Sequence, residues 1–91
     1  MASDDPQERE RRIKKLLFQS RHRGTREADF LVGGFAERYL RELADGDIDA
    51  FERLLAEPDP DIVDWVLGRA PVPEAQRSRV LDLIIKFKNE R

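Results

Sequence analysis

The residues best suited to chemistry in this sequence lie between Arg21 and Glu27, where Arg21, His22, Arg23, Gly24, Thr25, Arg26 and Glu27 follow one another. A histidine titrates near neutrality and could act as a general base or metal ligand. His22 is the only histidine, however, and no Ser, Asp or second His stands in a catalytic arrangement with it, so its plain reading is an exposed polar residue in a basic turn. Arg23 and Glu27 are four positions apart and could form a solvated ion pair worth a few tenths of a kcal/mol. Arg before Glu is the poorer helical orientation, and Gly24 interrupts the helix that would bring the two together. What these groups do best is recognition: a guanidinium donates a planar fork, a carboxylate accepts, and a glycine lets another backbone come close. The sequence therefore points to docking on a larger partner, with no catalytic residue of its own.

Composition closes other routes. There is no cysteine, hence no disulfide, thiolate metal site or thiol nucleophile, and a single His cannot build a metal cluster. Neither a phosphate loop nor a G-x-G-x-x-G pattern is present, so no nucleotide or flavin cofactor of its own is expected. No apolar run approaches the roughly 20 residues needed to cross a bilayer, and the acidic start MASDDPQERE lacks the apolar core of a secretory signal. The expectation is a cytoplasmic protein without membrane insertion, monomeric when free. The net charge is −2, but Arg9 to Arg26 carries +7 and Glu42 to Asp64 carries −8. That asymmetry suggests an oriented electrostatic encounter with a partner. Nucleic acid is not expected, because the basic run has no interleaved aromatics and no helix-turn-helix signature.

The elements that must position these groups are helical throughout. Residues 1–91 form a single domain with Met1 to Asp5 as a frayed tail. From Pro6 a first helix carries Ile13, Leu16, Leu17 and Ser20 on one face and ends at Gly24 as a left-handed residue. Thr25 caps a second helix, with Ala28, Leu31, Val32, Phe35, Ala36, Tyr39, Leu40 and Leu43 at alternating three and four spacing. The Gly33-Gly34 pair inside it predicts a bend or a close helix crossing. Gly46 reads as a stop and Asp47 as the next cap, before a short helix bearing Ile48, Phe51, Leu54 and Leu55. Asp59 as cap and Pro60 at the first position open a fourth helix around Trp65, a core anchor, which Gly68 ends. A last helix, beginning near Pro73 or Glu74, buries Val80, Leu81, Ile84, Ile85 and Phe87. The fold class is all-α, a compact antiparallel bundle of five helices.

The run Arg23-Gly24-Thr25-Arg26-Glu27, followed by Asp29 and Phe35, resembles the R-G-x-x-E signature of the SdhE-type succinate dehydrogenase assembly factors. Glu57-Pro58-Asp59-Pro60-Asp61 with Trp65 resembles that family's second landmark, an acidic proline turn leading to a helical Trp. The likeness extends from about Arg11 to about Phe87. It implies a five-helix protein that binds the flavoprotein subunit of succinate dehydrogenase, and sometimes of fumarate reductase, and promotes covalent attachment of FAD to a histidine there. FAD would then be carried by the partner. Arg23, Gly24 and Glu27 would make the contact with Asp29 on the same surface, and Arg21, His22 and Arg26 are further candidates. Gln19 stands where some relatives carry an aromatic. The alternative is a small helical adaptor serving a different partner.

Overall fold

Five helices carry the chain in the computed structural model, which describes residues 6–90; the expected tail, Met1 to Asp5, lies outside the described residues. Helix α1 spans Pro6–Arg21 and buries Ile13, Leu16 and Ser20, as its stripe of small and apolar residues requires. Helix α2 occupies residues 26–42, but not as one uniform coil. An α-turn (Arg26–Ala28) leads into a π-helical segment (Asp29–Gly33), then α-helix (Gly34–Tyr39) and a closing 3-10 turn (Leu40–Glu42). Thr25 caps it as expected, its hydroxyl oxygen accepting from the Ala28 N–H at 3.1 Å.

Helix α3 is Asp45–Leu55, α4 is Asp59–Val66 and α5 is Arg79–Asn89. A 3-10 turn (Glu74–Gln76) lies between the last two. No strand occurs among the described residues, and the expected all-α bundle of five helices is what the chain forms.

Several local expectations are corrected. Gly24 does not take a left-handed conformation; among the described residues Gly68 alone has positive φ, at 76°, and it closes α4 as expected. Gly46 lies inside the first turn of α3 and Asp47 with it, the extended residue before the helix being Ala44. Pro58 takes the cap position of α4, so Asp59 is its first residue and Pro60 its second. That shift frees the Asp59 side chain for a different task. The last helix starts at Arg79, with Ser78 capping through its hydroxyl to the Leu81 N–H; after Pro73 the chain makes only the 3-10 turn, which the extended Arg77 and Ser78 end.

One hydrophobic core unites the helices. Phe35, Phe51, Leu16, Leu40, Ile48, Leu54, Ile62 and Ile84 are its largest fully buried side chains. Trp65 is buried among them, the anchor its spacing predicts, whereas Ile85 is only half-buried. Gly33 lets α1 and α2 cross at backbone contact: a Cβ there would stand 2.9 Å from the Ser20 carbonyl oxygen. Gly34 faces the Phe87 ring, where a Cβ would meet Cζ at 3.3 Å.

Candidate partner-binding site

The corner between α1 and α2, residues 22–25, is set by one arginine. The Arg23 side chain is 11% exposed, and each guanidinium nitrogen has a partner. Nε donates to Asp59 Oδ1, Nη1 to the Leu55 carbonyl at 2.9 Å and Nη2 to the Glu57 carbonyl at 2.8 Å. Those two carbonyls lie where α3 gives out, a place where helical carbonyls lack intrahelical donors. The fork of Arg23 therefore ties the corner to the α3–α4 junction.

Backbone groups complete the frame. The Gly24 N–H donates to Asp59 Oδ2 at 2.7 Å, and the Arg23 N–H to Asp29 Oδ1 at 2.9 Å. The expectation that Arg23 offers a free fork to a partner is corrected, since its donors are engaged within the molecule. Asp29 likewise spends a carboxylate oxygen on holding the corner. Asp59, legible in the sequence as a helix cap and as part of the acidic proline turn, is the acceptor common to Arg23 and Gly24.

The outer side of the frame is open. Gly24, Arg26 and Glu27 are exposed, and neither Arg26 nor Glu27 has an ion pair or side-chain hydrogen bond among the described residues. Nothing inside the molecule demands a glycine at position 24. Its φ is not positive, and a Cβ would meet only Asp59 Oδ2, at an ordinary 3.6 Å. Arg21 points away to Glu37, 3.2 Å from it. His22 stacks on Phe18, ring centroids 3.9 Å apart, and its Nδ1 lies 2.8 Å from the Phe18 carbonyl oxygen.

Phe18 escaped the sequence reading. It lies off the apolar stripe of α1 and is 62% exposed. An aromatic outside the buried face of an amphipathic helix was the available signal. An open hollow of about 600 Å³ runs beside it, lined by Phe18, His22, Gly24, Leu55 and Asp59 among others.

The two charge blocks meet inside the molecule rather than on a partner. Arg9 pairs with Asp45, Arg12 with Asp49 and Glu52, and Arg23 with Asp59; outside the two blocks' pairing, Glu10 pairs with Arg41. The hydrogen bond from Arg41 holds the Glu10 carboxyl below the usual carboxylate range, against a smaller opposing effect of desolvation. The bond to Asp49 pushes the Arg12 guanidinium still higher. Part of the asymmetry expected to orient a partner, Arg9 and Arg12, is thus used to hold α1 on α3.

No helix of the described residues is long and apolar enough to cross a membrane. Among the described residues no group of three or more His, Cys, Asp or Glu could hold a metal ion.

The family model described as flavinator of succinate dehydrogenase matches residues 14–88, which include the corner and its Asp59 support. A mitochondrial succinate dehydrogenase assembly factor 2 from Mycosarcoma maydis is 46% identical over 76% of this chain, and one from Dictyostelium discoideum is 44% identical over 78%. A FAD assembly factor SdhE from Acetobacter pasteurianus is 36% identical over 94% of the chain. The chain spans 29% and 50% of the length of the first two relatives, and 76% of the third.

Proposed function

The chain belongs to the family of flavinators of succinate dehydrogenase, and from that premise we propose that it is an assembly factor that binds the flavoprotein subunit of succinate dehydrogenase and promotes covalent attachment of FAD to it. The observation that carries this reading is the corner itself. An exposed glycine with no internal reason to be glycine stands beside a carboxylate with no internal partner, on a frame fixed by Arg23 and Asp59.

Covalent attachment needs a histidine nitrogen of the flavoprotein held close to the flavin 8-methyl carbon. Holding reacting groups in place is worth on the order of 7 kcal/mol in favourable cases, with no bond touched by the helper. This chain would supply that effect by binding the reactive arrangement of the flavoprotein better than the others, shifting its population. Gly24 allows close approach of the partner's backbone. Glu27 accepts from a partner donor, Arg26 adds an unpaired cation, and Arg23 with Asp29 keeps the corner in one shape. The protein supplies no catalytic group, FAD belongs to the partner, and the work is done in the cytoplasm by a monomer.

The test is Glu27→Ala. Its side chain is exposed and unpartnered, so the variant should unfold with the wild type while the yield of covalent FAD on the flavoprotein subunit falls to the level without helper. Full covalent FAD with this variant would remove Glu27 from the site. Co-purification of a partner other than a flavoprotein would favour the adaptor reading.

A further inference from the structure

While Arg9 and Arg12 are spent on Asp45, Asp49 and Glu52, their neighbours Arg11, Lys14 and Lys15 are exposed and form no ion pair among the described residues. Glu10, which acts on Lys14 through space, is itself paired with Arg41. Arg11, Lys14, Lys15 and Phe18 fall at i, i+3, i+4 and i+7, one face of α1 running about 10 Å toward the corner.

Phe18 ends this face as an ordered ridge. Its ring lies against His22 with 19° between the planes, and the His22 Nδ1 contact to the Phe18 carbonyl fastens the imidazole to the same turn. A hollow of about 450 Å³ lined by Lys14, Leu17, Phe18, Arg21 and His22 lies on one side. The hollow of about 600 Å³ that reaches Gly24 lies on the other. A lone exposed aromatic is common, but one held in a single orientation between two recesses has the form of a binding anchor, with little side-chain freedom left to lose.

We infer that this outward face of α1 is a second contact surface for the flavoprotein, taking an acidic segment of that partner with an apolar recess for the Phe18 ring. The inference rests on the function proposed above, and the shared hollow makes the face continuous with the Gly24 corner. Charge chooses the occupant. The unpaired cations want carboxylates, yet Asp45, Asp49 and Glu52 lie along the adjoining α3 and would repel a broad polyanion such as a bilayer or nucleic acid. A compact acidic segment reaches the cations alone. They would speed association, and Phe18 would slow dissociation.

The experiment measures association and dissociation of the full chain with purified FAD-free flavoprotein subunit at low and high salt. It compares wild type, Phe18→Ala, the Lys14→Glu/Lys15→Glu pair and Glu27→Ala. Phosphatidylglycerol vesicles and a single-stranded oligonucleotide serve as rival ligands. Phe18→Ala should raise Kd about tenfold or more, mainly through faster dissociation. The charge-reversed pair should associate several-fold more slowly at low salt, and this difference should shrink at high salt. Both should melt with the wild type, because the altered groups are exposed. If both bind like wild type while Glu27→Ala does not, the second surface is wrong and the corner stands. If the wild type fails to bind the flavoprotein, both readings fall. Vesicle or oligonucleotide binding as tight as that of the flavoprotein, lost in the charge-reversed pair, would also overturn the assignment.

Discussion

Arg23 and Asp59, 36 positions apart, form an ion pair that is mostly shielded from water, with side chains 11% and 16% exposed. The same carboxylate reaches past the guanidinium to the Gly24 N–H. A helix start favours a negative group, so Asp59 as the first residue of α4 stabilises its own helix as well as the corner. Gly24 and Glu27 are exposed while Arg23 turns inward.

Removing Arg23 leaves the mostly shielded Asp59 without a cation and strips donors from the Leu55 and Glu57 carbonyls. Arg23→Ala should lose about 3 kcal/mol in urea unfolding, the scale of a broken shielded ion pair. Arg23→Lys keeps the charge but not the fork and should lose less, about 1 to 2 kcal/mol. An Arg23→Ala variant as stable as wild type would show that the corner is held by something else.

At Gly24 the prediction separates fold from function. Gly24→Leu should change unfolding free energy by no more than about 0.5 kcal/mol, since the position is exposed and its backbone conformation is open to any residue. Covalent FAD formation on the flavoprotein should nevertheless be lost, because the added side chain stands between the corner and its partner. A folded, fully active Gly24→Leu would argue against close backbone approach there.

Two other glycines give opposite outcomes on substitution. In Gly33→Ala the new Cβ meets the Ser20 carbonyl oxygen at 2.9 Å and Arg21 Cγ at 3.2 Å. Overpacking of about 1 to 3 kcal/mol should outweigh the helix-propensity gain of about 1 kcal/mol from alanine. Gly46→Ala meets nothing within 4 Å and sits in the first turn of α3, so it should stabilise by about 0.5 kcal/mol. Thermal unfolding of the two variants side by side checks both signs.

Acid should reveal the Glu10–Arg41 pair. The folded carboxyl is lowered from 4.5, so its contribution is fully present above that value and is lost as pH falls through the lowered folded one. Because the pair stands open to water, the effect is a small slope. Urea midpoints measured from about pH 6 downward should fall less steeply for Glu10→Gln than for wild type. Identical slopes would mean the pair contributes nothing in solution.

Much of the architecture was legible because helices advertise themselves by period. Ile13, Leu16 and Ser20, and later Ile48, Phe51 and Leu54, are buried as their spacing requires. Thr25 and Gly68 are read directly because their chemistry is local. What local reading misses is competition from distant groups. Gly24 resembles a left-handed stop, yet Asp59 supplies the acceptor that its N–H needs and no left-handed turn forms. Arg23 looks available until the Leu55 and Glu57 carbonyls are brought to it by the bundle. The charge blocks look like an outward field, yet Arg9 and Arg12 turn to the acids of α3, because only the fold shows which face of α1 lies on α3. The π-helical segment at Asp29–Gly33 leaves no mark in a pattern that alternates by threes and fours.

At the Gly33 crossing the Ser20 carbonyl oxygen and Arg21 stand so close that there is no room for α1 and α2 to slide or repack. A joint of that kind has little give, so the protein should enter any complex with its shape unaltered. The work of adjustment then falls on the larger molecule, as soft material yields to a stiff mould.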